Sequence, residues 1–381
     1  MKISIFTYSV TRSAGGVLDA VRDLFLSKMM EGQELTVFSY QEEDNAEDIK
    51  TWKHLPLRLF KAGPFFMSRE AKNALLSSEA DILHMEGLWR WPHLWMSEWK
   101  KQCKKPIVCT PHGMLDPYII KSQGKLKRAI ANLFFQKGLD SVTCYHALCQ
   151  KELEDIRAYG LKQPIAIIPN GIYLPESNAV YKRSDSKRHL LYLGRLHKKK
   201  GVDMLLEAVA LIKQESPELL ASWHIDLVGW DHENCQSQLE EIVNTNSLHD
   251  VVTFHGGLFG EDKVRMYATS DAYILPSHGE GLPMTVLEAW SWRLPVVMTP
   301  HCNIPEGFEA NAAIRIQDDV SSVKEGLVTL LNMSDEERQN VGNRGYELVK
   351  SDFTWDASAA KMIKLYEWLV NRGEKPNFVY E

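Results

Sequence analysis

The chain has 381 residues, 44% hydrophobic and 25% charged, a globular balance too long for one ordinary core and suited to two domains. No apolar run nears the roughly 20 residues that span a bilayer, and a net charge of −6 excludes a nucleic-acid-binding profile. Residues 1–170 hold 23 basic and 19 acidic side chains, and residues 171–381 hold 21 and 31, so the first half is expected to meet something anionic.

The start, "MKISIFTYSV", has one Lys and polar interruptions, and reads as a first strand rather than an export signal. The expected location is the cytoplasm. A helix follows from about Gly16 to Glu31, then the strand-like runs "ELTVFSY", "ADILHME", "PIVCTPH", "SVTCYHALC" and "PIAIIPNGI". A second series opens at "HLLYLGR" and continues with a helix at 201–214, "WHIDLVGW", a helix at about 234–246, "VVTFHGGL", "DAYILPS" and "LPVVMTP". Alternation of this kind predicts two α/β domains, each a doubly wound parallel sheet of Rossmann type. The Pro-, Asn- and Ser-rich stretch 169–187 marks the boundary, giving a domain at 1–170 and another at 171–363, with 364–381 in an amphipathic final helix. The six cysteines, at 103, 109, 144, 149, 235 and 302, form no CxxC pair and read as buried thiols.

Open parallel sheets bind ligands outside the carboxyl ends of their strands, which directs attention to the segments after them. "EGLPMTVLE" holds two acids, Glu280 and Glu288, around the predicted start of a helix. Pro283 suits a helix start. Leu282, Met284 and Thr285 there offer unpaired amides, an anion site suited to phosphate, and Gly281 permits close approach. Glu288 lies about 7.5 Å along the axis from Pro283 at ~1.5 Å per residue, so one ligand of nucleotide-sugar size can touch both acids. The same spacing serves a loop Glu and a solvated helix Glu. "LLYLGRLHKKKGVDMLLEAV" places Arg195 at a strand end and Lys200 before Gly201 at a helix start, two cations able to neutralise a diphosphate. Lys198 and Lys199 read as solvated.

Together, "GRLxxxKG" and a Glu, seven residues, Glu pattern about 80 residues later resemble the retaining GT-B glycosyltransferases of family 4 (group 1), of the bacterial surface-polysaccharide type. "GGV" at 15–17, "TPHGML" at 110–115 and "IPNGI" at 168–172 add to the likeness. The resemblance implies two Rossmann-like domains facing a deep cleft, the last helix crossing back to the first domain, and a UDP- or GDP-sugar donor held mainly by the second. It implies that Glu280 binds donor-sugar hydroxyls, Glu288 the ribose, Arg195 and Lys200 the diphosphate, and the Leu258 backbone the base. His112 would face the donor sugar near its anomeric carbon, and Gly16 would bring an amide to the phosphate.

In the first domain, "HMEGLWRWPHLWMSEWKK" puts Trp91, Trp95 and Trp99 on one helical stripe, with Trp89 before them. The stripe suits a sugar-stacking or membrane face, or equally a buried core. Where relatives often read His-x-His-Gly, this chain has His84, Met85, Glu86 and Gly87, which makes His84, Glu86 and Trp89 the acceptor candidates and Glu86 a candidate acid. The basic stretch "YIIKSQGKLKRAIANLFFQKG" suits an anionic membrane beside a lipid-linked saccharide acceptor, or a solvated helix. No Asp-x-Asp triplet occurs, so neither an obligatory metal nor any other cofactor is expected. Two rival readings are a UDP-sugar 2-epimerase and a non-catalytic partner that binds nucleotide sugar.

Overall fold

A computed structural model describes residues 1–42, 46–117, 120, 134–175, 181 and 186–381. Most of the basic stretch at 118–138, and most of the boundary segment between 176 and 185, lie outside the described residues. The chain divides into two compact units, Met1–Gly171 with Trp355–Glu381, and Ile172–Thr354.

The first unit is built on β1 (Lys2–Phe6), β2 (Glu34–Gln41), β3 (Leu57–Lys61), β4 (Ile82–Glu86), β5 (Ile107–Thr110), β6 (Cys144–Ala147), β7 (Ile165–Ile167) and β14 (Val379–Tyr380). Their order in the sheet is β14-β7-β6-β5-β4-β1-β2-β3, parallel except where β14 pairs antiparallel with β7. The second unit carries β8 (Arg188–Leu193), β9 (Trp223–Val228), β10 (Val252–Gly256), β11 (Ala272–Leu275), β12 (Val296–Met298) and β13 (Ala313–Arg315). This sheet is parallel, in the order β10-β9-β8-β11-β12-β13. Both sheets thus run outward in two directions from an inner pair, β1 beside β4 and β8 beside β11. That reversal is the topological switch point, where adjacent connections leave on opposite faces and open a crevice.

Alternation along the strands puts one apolar cluster on each face of the first sheet. Ile3, Ile5, Val37, Ile82 and Val108 pack with the helix Gly16–Leu26, and Phe38, Leu83, Met85, Ile107 and Cys109 with the helix Pro92–Cys103. The final helix, Trp355–Leu369, belongs to the first unit. Its Trp355, Ala359, Met362, Leu365 and Tyr366 are buried in the cluster around Ile3. Of the tryptophan stripe, Trp95 and Trp99 are core, at 6% and 0% exposed, whereas Trp91 is half-buried. All six cysteines are free thiols, and five are buried.

The strands β3, β13 and β14 were not anticipated. They are sheet-edge or short elements of five, three and two residues, defined by the neighbour they pair with more than by their own pattern. The helix expected to reach Glu31 stops at Leu26, and a separate turn covers Lys28–Met30.

Candidate functional site

In the second unit the loop after β8 and the loop after β11 meet because of one glycine. Gly201 has φ +67°, and a Cβ built on it would lie 2.1 Å from the carbonyl oxygen of Pro276. Only a residue without a side chain lets the two loops close to this distance. The contact sets Lys200 against Glu280, with Nζ 2.7 and 2.8 Å from the two carboxylate oxygens. The side chains are 18% and 10% exposed, so little water competes with the pair. Glu280 is fixed from the other side as well. Its amide donates to the His301 carbonyl at 2.9 Å, and Asn303 Nδ2 donates to its carbonyl at 2.6 Å.

Arg195, in the loop after β8, is exposed and makes no ion pair among the described residues. Lys198 and Lys199 are exposed too. The helix after β11 runs Met284–Ser291 with Pro283 as its N-cap residue, so the first-turn amides of Met284 and Thr285 lack the carbonyls of a preceding turn. Leu282 is half-buried against the core, and Gly281 beside it is exposed. Glu288, one turn further on, accepts from Lys263 Nζ at 2.6 Å and from the Tyr267 hydroxyl at 2.8 Å. Burial pushes the Tyr267 hydroxyl well above its usual pKa, so it stays protonated and donates. Each acid of the pattern therefore has a lysine partner, and a bound anion would exchange contacts with these pairs. Leu258 lies half-buried in the loop after β10.

In the first unit the switch point holds a polar network in strands that are otherwise apolar. Glu86 ends β4 and is 2% exposed. It accepts from His112 Nε2 at 2.7 Å and lies 3.4 Å from His84 Nε2. Burial works to raise its pKa, but His84 and His112 overcome this and hold it down to about 2. Glu86 is thus a carboxylate at neutral pH, which replaces the expectation that it acts as an acid. Burial works to lower the His112 pKa, but the Glu86 bond and charge, aided by Glu152, raise it. His112 has φ +51°, the left-handed region that non-glycine residues seldom occupy. The following turn is held by Glu152, which accepts from Gly113 N at 2.5 Å and Leu148 N at 2.7 Å.

His84 is 0% exposed. Its Nδ1 meets the Tyr366 hydroxyl at 2.5 Å and its Nε2 the Thr110 hydroxyl at 2.7 Å. Thr110 continues to His146 Nδ1 at 2.9 Å, whose Nε2 meets the Ile168 carbonyl at 2.7 Å. Burial lowers the pKa of His84, and that of His146 to about 3. With both ring nitrogens engaged and no surface, His84 supports Glu86 from within the core and does not touch an acceptor. Trp89 is half-buried, with Nε1 donating to the Met114 carbonyl at 3.2 Å. Gly16 opens the helix Gly16–Leu26 behind Gly15, whose φ is +59°.

Sequence reasoning missed Lys263, Tyr267, Asn303, Thr110 and His146. The polar Thr110 and His146 inside strands otherwise reading as buried were the available signal. Among the described residues, His197, His232 and Glu233 form the one group able to approach a metal ion together, with donor atoms within 4.8 Å of one another. His197 Nδ1 accepts from Lys199 N at 3.0 Å. A neutral imidazole then carries its proton on Nε2, so that nitrogen has no lone pair to offer.

Residues 15–174 match the family model described as Glycosyltransferase Family 4, and residues 187–333 that described as Glycosyl transferases group 1. The mannosylfructose-phosphate synthase of Agrobacterium fabrum is 28% identical over 232 residues, 56% of this chain and 50% of that protein. The D-inositol 3-phosphate glycosyltransferase of an Arthrobacter species is 23% identical over 201 residues, 52% and 47%. The O-antigen chain mannosyltransferase B of Escherichia coli is 25% identical over 185 residues, 48% and 46%. The chain thus spans about half the length of these relatives. Among solved structures, the sucrose-phosphate synthase of Thermosynechococcus elongatus superposes with a TM-score of 0.68 at 18% identity, over 97% of this chain and 99% of that one. Anabaena HepE, in complex with UDP and glucose, superposes with a TM-score of 0.69 at 15% identity, over 97% and 100%. At these identities the likeness is one of fold, the GT-B pairing of two Rossmann-like units. Two consecutive family matches that leave little of the chain uncovered, on two parallel sheets of that fold, settle the assignment: the chain belongs to the group 1 glycosyltransferases of family 4.

Proposed function

We propose that the chain moves a sugar from a nucleoside-diphosphate sugar, UDP- or GDP-linked, to a hydroxyl of a saccharide acceptor, with retention at the anomeric carbon. The observation that carries the reading is Lys200 held 2.7 Å from Glu280 at the β8/β11 switch point, with exposed Arg195 in the same loop after β8. One ligand with a diphosphate next to sugar hydroxyls satisfies both charges.

Transfer runs by front-face attack. The bond from the anomeric carbon to the diphosphate oxygen breaks, and the acceptor oxygen bonds to the same face. The acceptor proton passes to a diphosphate oxygen. The protein's contribution is electrostatic: Arg195, Lys200 and the amides of Met284 and Thr285 receive the departing charge. Glu280 takes sugar hydroxyls and Glu288 the ribose. Within the first unit, the Gly16 amide suits a phosphate oxygen, and His112, oriented by Glu86, suits a sugar hydroxyl. Trp89 stands beside the acceptor.

The acceptor is a lipid-linked saccharide in polysaccharide or lipopolysaccharide synthesis, met at the inner face of the cell membrane. In support, one relative is an O-antigen chain mannosyltransferase, and one structural neighbour, WaaG, is a glycosyltransferase involved in lipopolysaccharide biosynthesis. No helix among the described residues is long and apolar enough to cross a membrane.

Incubation with labelled UDP- and GDP-sugars, with and without lipid-linked oligosaccharide, tests the reading. The expected outcome is label in the acceptor, free diphosphate and an unchanged anomeric configuration. Conversion of the donor to an epimer without acceptor, or no consumption of any donor, overturns it.

A further inference from the structure

A line of buried polar side chains crosses one face of the first sheet from strand to strand. His84 and Glu86 are two residues apart on β4 and so share a face. Thr110 is the register partner of Glu86 on β5, and His146 stands on β6. Tyr366, of the helix Trp355–Leu369, meets one end of the line, and the Ile168 carbonyl closes the other. All five side chains are buried, and the Phe25 ring meets His84 edge-on at 5.6 Å. With water excluded, the bonds among these groups decide where each proton sits.

The carbonyl fixes the order, because it can only accept. His146 Nε2 therefore carries a proton and donates it to Ile168 O at 2.7 Å. Burial keeps His146 neutral, with its pKa lowered to about 3, so its Nδ1 is a bare lone pair. The Thr110 hydroxyl, 2.9 Å away, donates there. Its only proton is then committed, and its oxygen is left to accept from His84 Nε2 at 2.7 Å. Burial lowers the His84 pKa as well, so this neutral ring presents a bare Nδ1 to the Tyr366 hydroxyl, which donates at 2.5 Å. The reverse order would set a lone pair of His146 Nε2 against those of the carbonyl.

The consequence falls on Glu86. His84 Nε2 is 2.7 Å from the Thr110 oxygen but 3.4 Å from Glu86 Oε1, so its proton goes chiefly to the hydroxyl. Glu86 keeps its short bond, 2.7 Å, for His112 Nε2. We propose that Thr110 is a positioning residue: it accepts the Nε2 proton of His84 and so keeps that imidazole off Glu86, leaving the carboxylate to orient His112. Without a hydroxyl whose own proton is held by His146, the His84 N–H would turn to Glu86, and two imidazoles would compete for one carboxylate. The charged and titratable groups that face His112 are Glu86 on β4 and Glu152 on the helix Gln150–Tyr159, with His84 and His146 behind Glu86. Glu152 is held by the amides of Gly113 and Leu148 and lies outside the line. The inference rests on the transferase reading for the role of His112, and its spectroscopic test stands apart from that reading.

The test is NMR of the full chain with isotope-labelled histidines, which reads the tautomer of each neutral imidazole and the titration of His112, in wild type, Thr110→Val and Thr110→Ser. Signals are assigned by difference with His84→Gln, His112→Gln and His146→Gln. In wild type, His84 and His146 are each expected to carry their proton on Nε2. Thr110→Val keeps the shape and removes the hydroxyl. It is expected to lower the proton affinity of His112 about threefold, or about half a pH unit, and to move the inflection of kcat/KM the same way. Thr110→Ser should restore both. A proton on Nδ1 of either His84 or His146 in wild type overturns the proposal, and that measurement needs no Thr110 variant to fold. So does a His112 titration left unchanged by Thr110→Val, or one changed equally by Thr110→Ser, which would make the residue a packing element alone. The expected tautomers and shift in a chain that transfers no sugar would uphold the proton order and overturn the transferase reading.

Discussion

Glu86 Oε2 lies 2.7 Å from His112 Nε2, and this contact joins the ends of two neighbouring strands into one unit of carboxylate and imidazole. The bond assigns the Nε2 proton of His112 and leaves Nδ1 as the nitrogen available to a ligand. Glu86→Gln removes the charge and keeps the shape. Turnover is expected to fall about tenfold or more, and any inflection of kcat/KM that reports His112 to move to lower pH, because the carboxylate that raises its pKa is gone. A variant with the wild-type pH profile would leave His112 uninvolved.

The same pair sets a window of stability. Glu86 is held below its ordinary pKa, so its contribution is complete above about pH 4.5 and lost as pH falls toward 2. His112 is held above its ordinary value, so its contribution is complete below about pH 6.5 and lost as pH rises through the folded pKa. The difference in unfolding free energy between wild type and Glu86→Gln is therefore expected to peak between about pH 4.5 and 6.5, at a few kcal/mol. Urea titrations from pH 3 to 8 measure it, and a flat difference would show that the two groups are not coupled.

Lys200→Ala is expected to lower kcat by about 100-fold, since losing one group that stabilises a leaving charge costs about 3 kcal/mol. The double variant with Glu280→Ala should lose less than the two single losses added, because the residues share one interaction. Strict additivity in steady-state rates would separate their roles.

Gly201→Ala places a Cβ where the Pro276 carbonyl stands and forces a side chain to φ +67°. Strain and overpacking are expected to cost about 3 kcal/mol, seen as a lower melting temperature, with turnover reduced because Lys200 is displaced from Glu280. Full activity at an unchanged melting temperature would mean that the loop contact is not what positions Lys200.

Glu288→Ala and Lys263→Ala are each expected to weaken nucleoside-diphosphate binding about tenfold, or about 1.4 kcal/mol, without altering which sugar is preferred. Thermal shifts across a nucleotide series read this through mass action. An altered sugar preference would move Glu288 from the ribose to the sugar. Activity is expected to persist in excess chelator, and complete loss restored by Mg²⁺ or Mn²⁺ would contradict that.

Much of the architecture was legible because it is written in local pattern. Buried parallel strands read as short apolar runs, and the connections of each unit follow from βαβ alternation. The positions of Arg195, Lys200, Glu280 and Glu288 were legible for the same reason, since ligand-side residues follow strand ends. The edge strands β3, β13 and β14 were not, because their identity lies in the partner they pair with.

The sequence by itself determined two doubly wound units, the candidate acids and cations, and the glycines that flank them. The tertiary structure alone decided who meets whom. It put Lys200 on Glu280, Lys263 and Tyr267 on Glu288, His112 on Glu86, and Tyr366 of the last helix on His84. The reason is physical: order along the chain constrains backbone hydrogen bonds within three or four residues, whereas an ion pair or a buried polar bond depends on which segments the sheet brings side by side. Lys200 and Glu280 are 80 residues apart, and His84 and Tyr366 are 282.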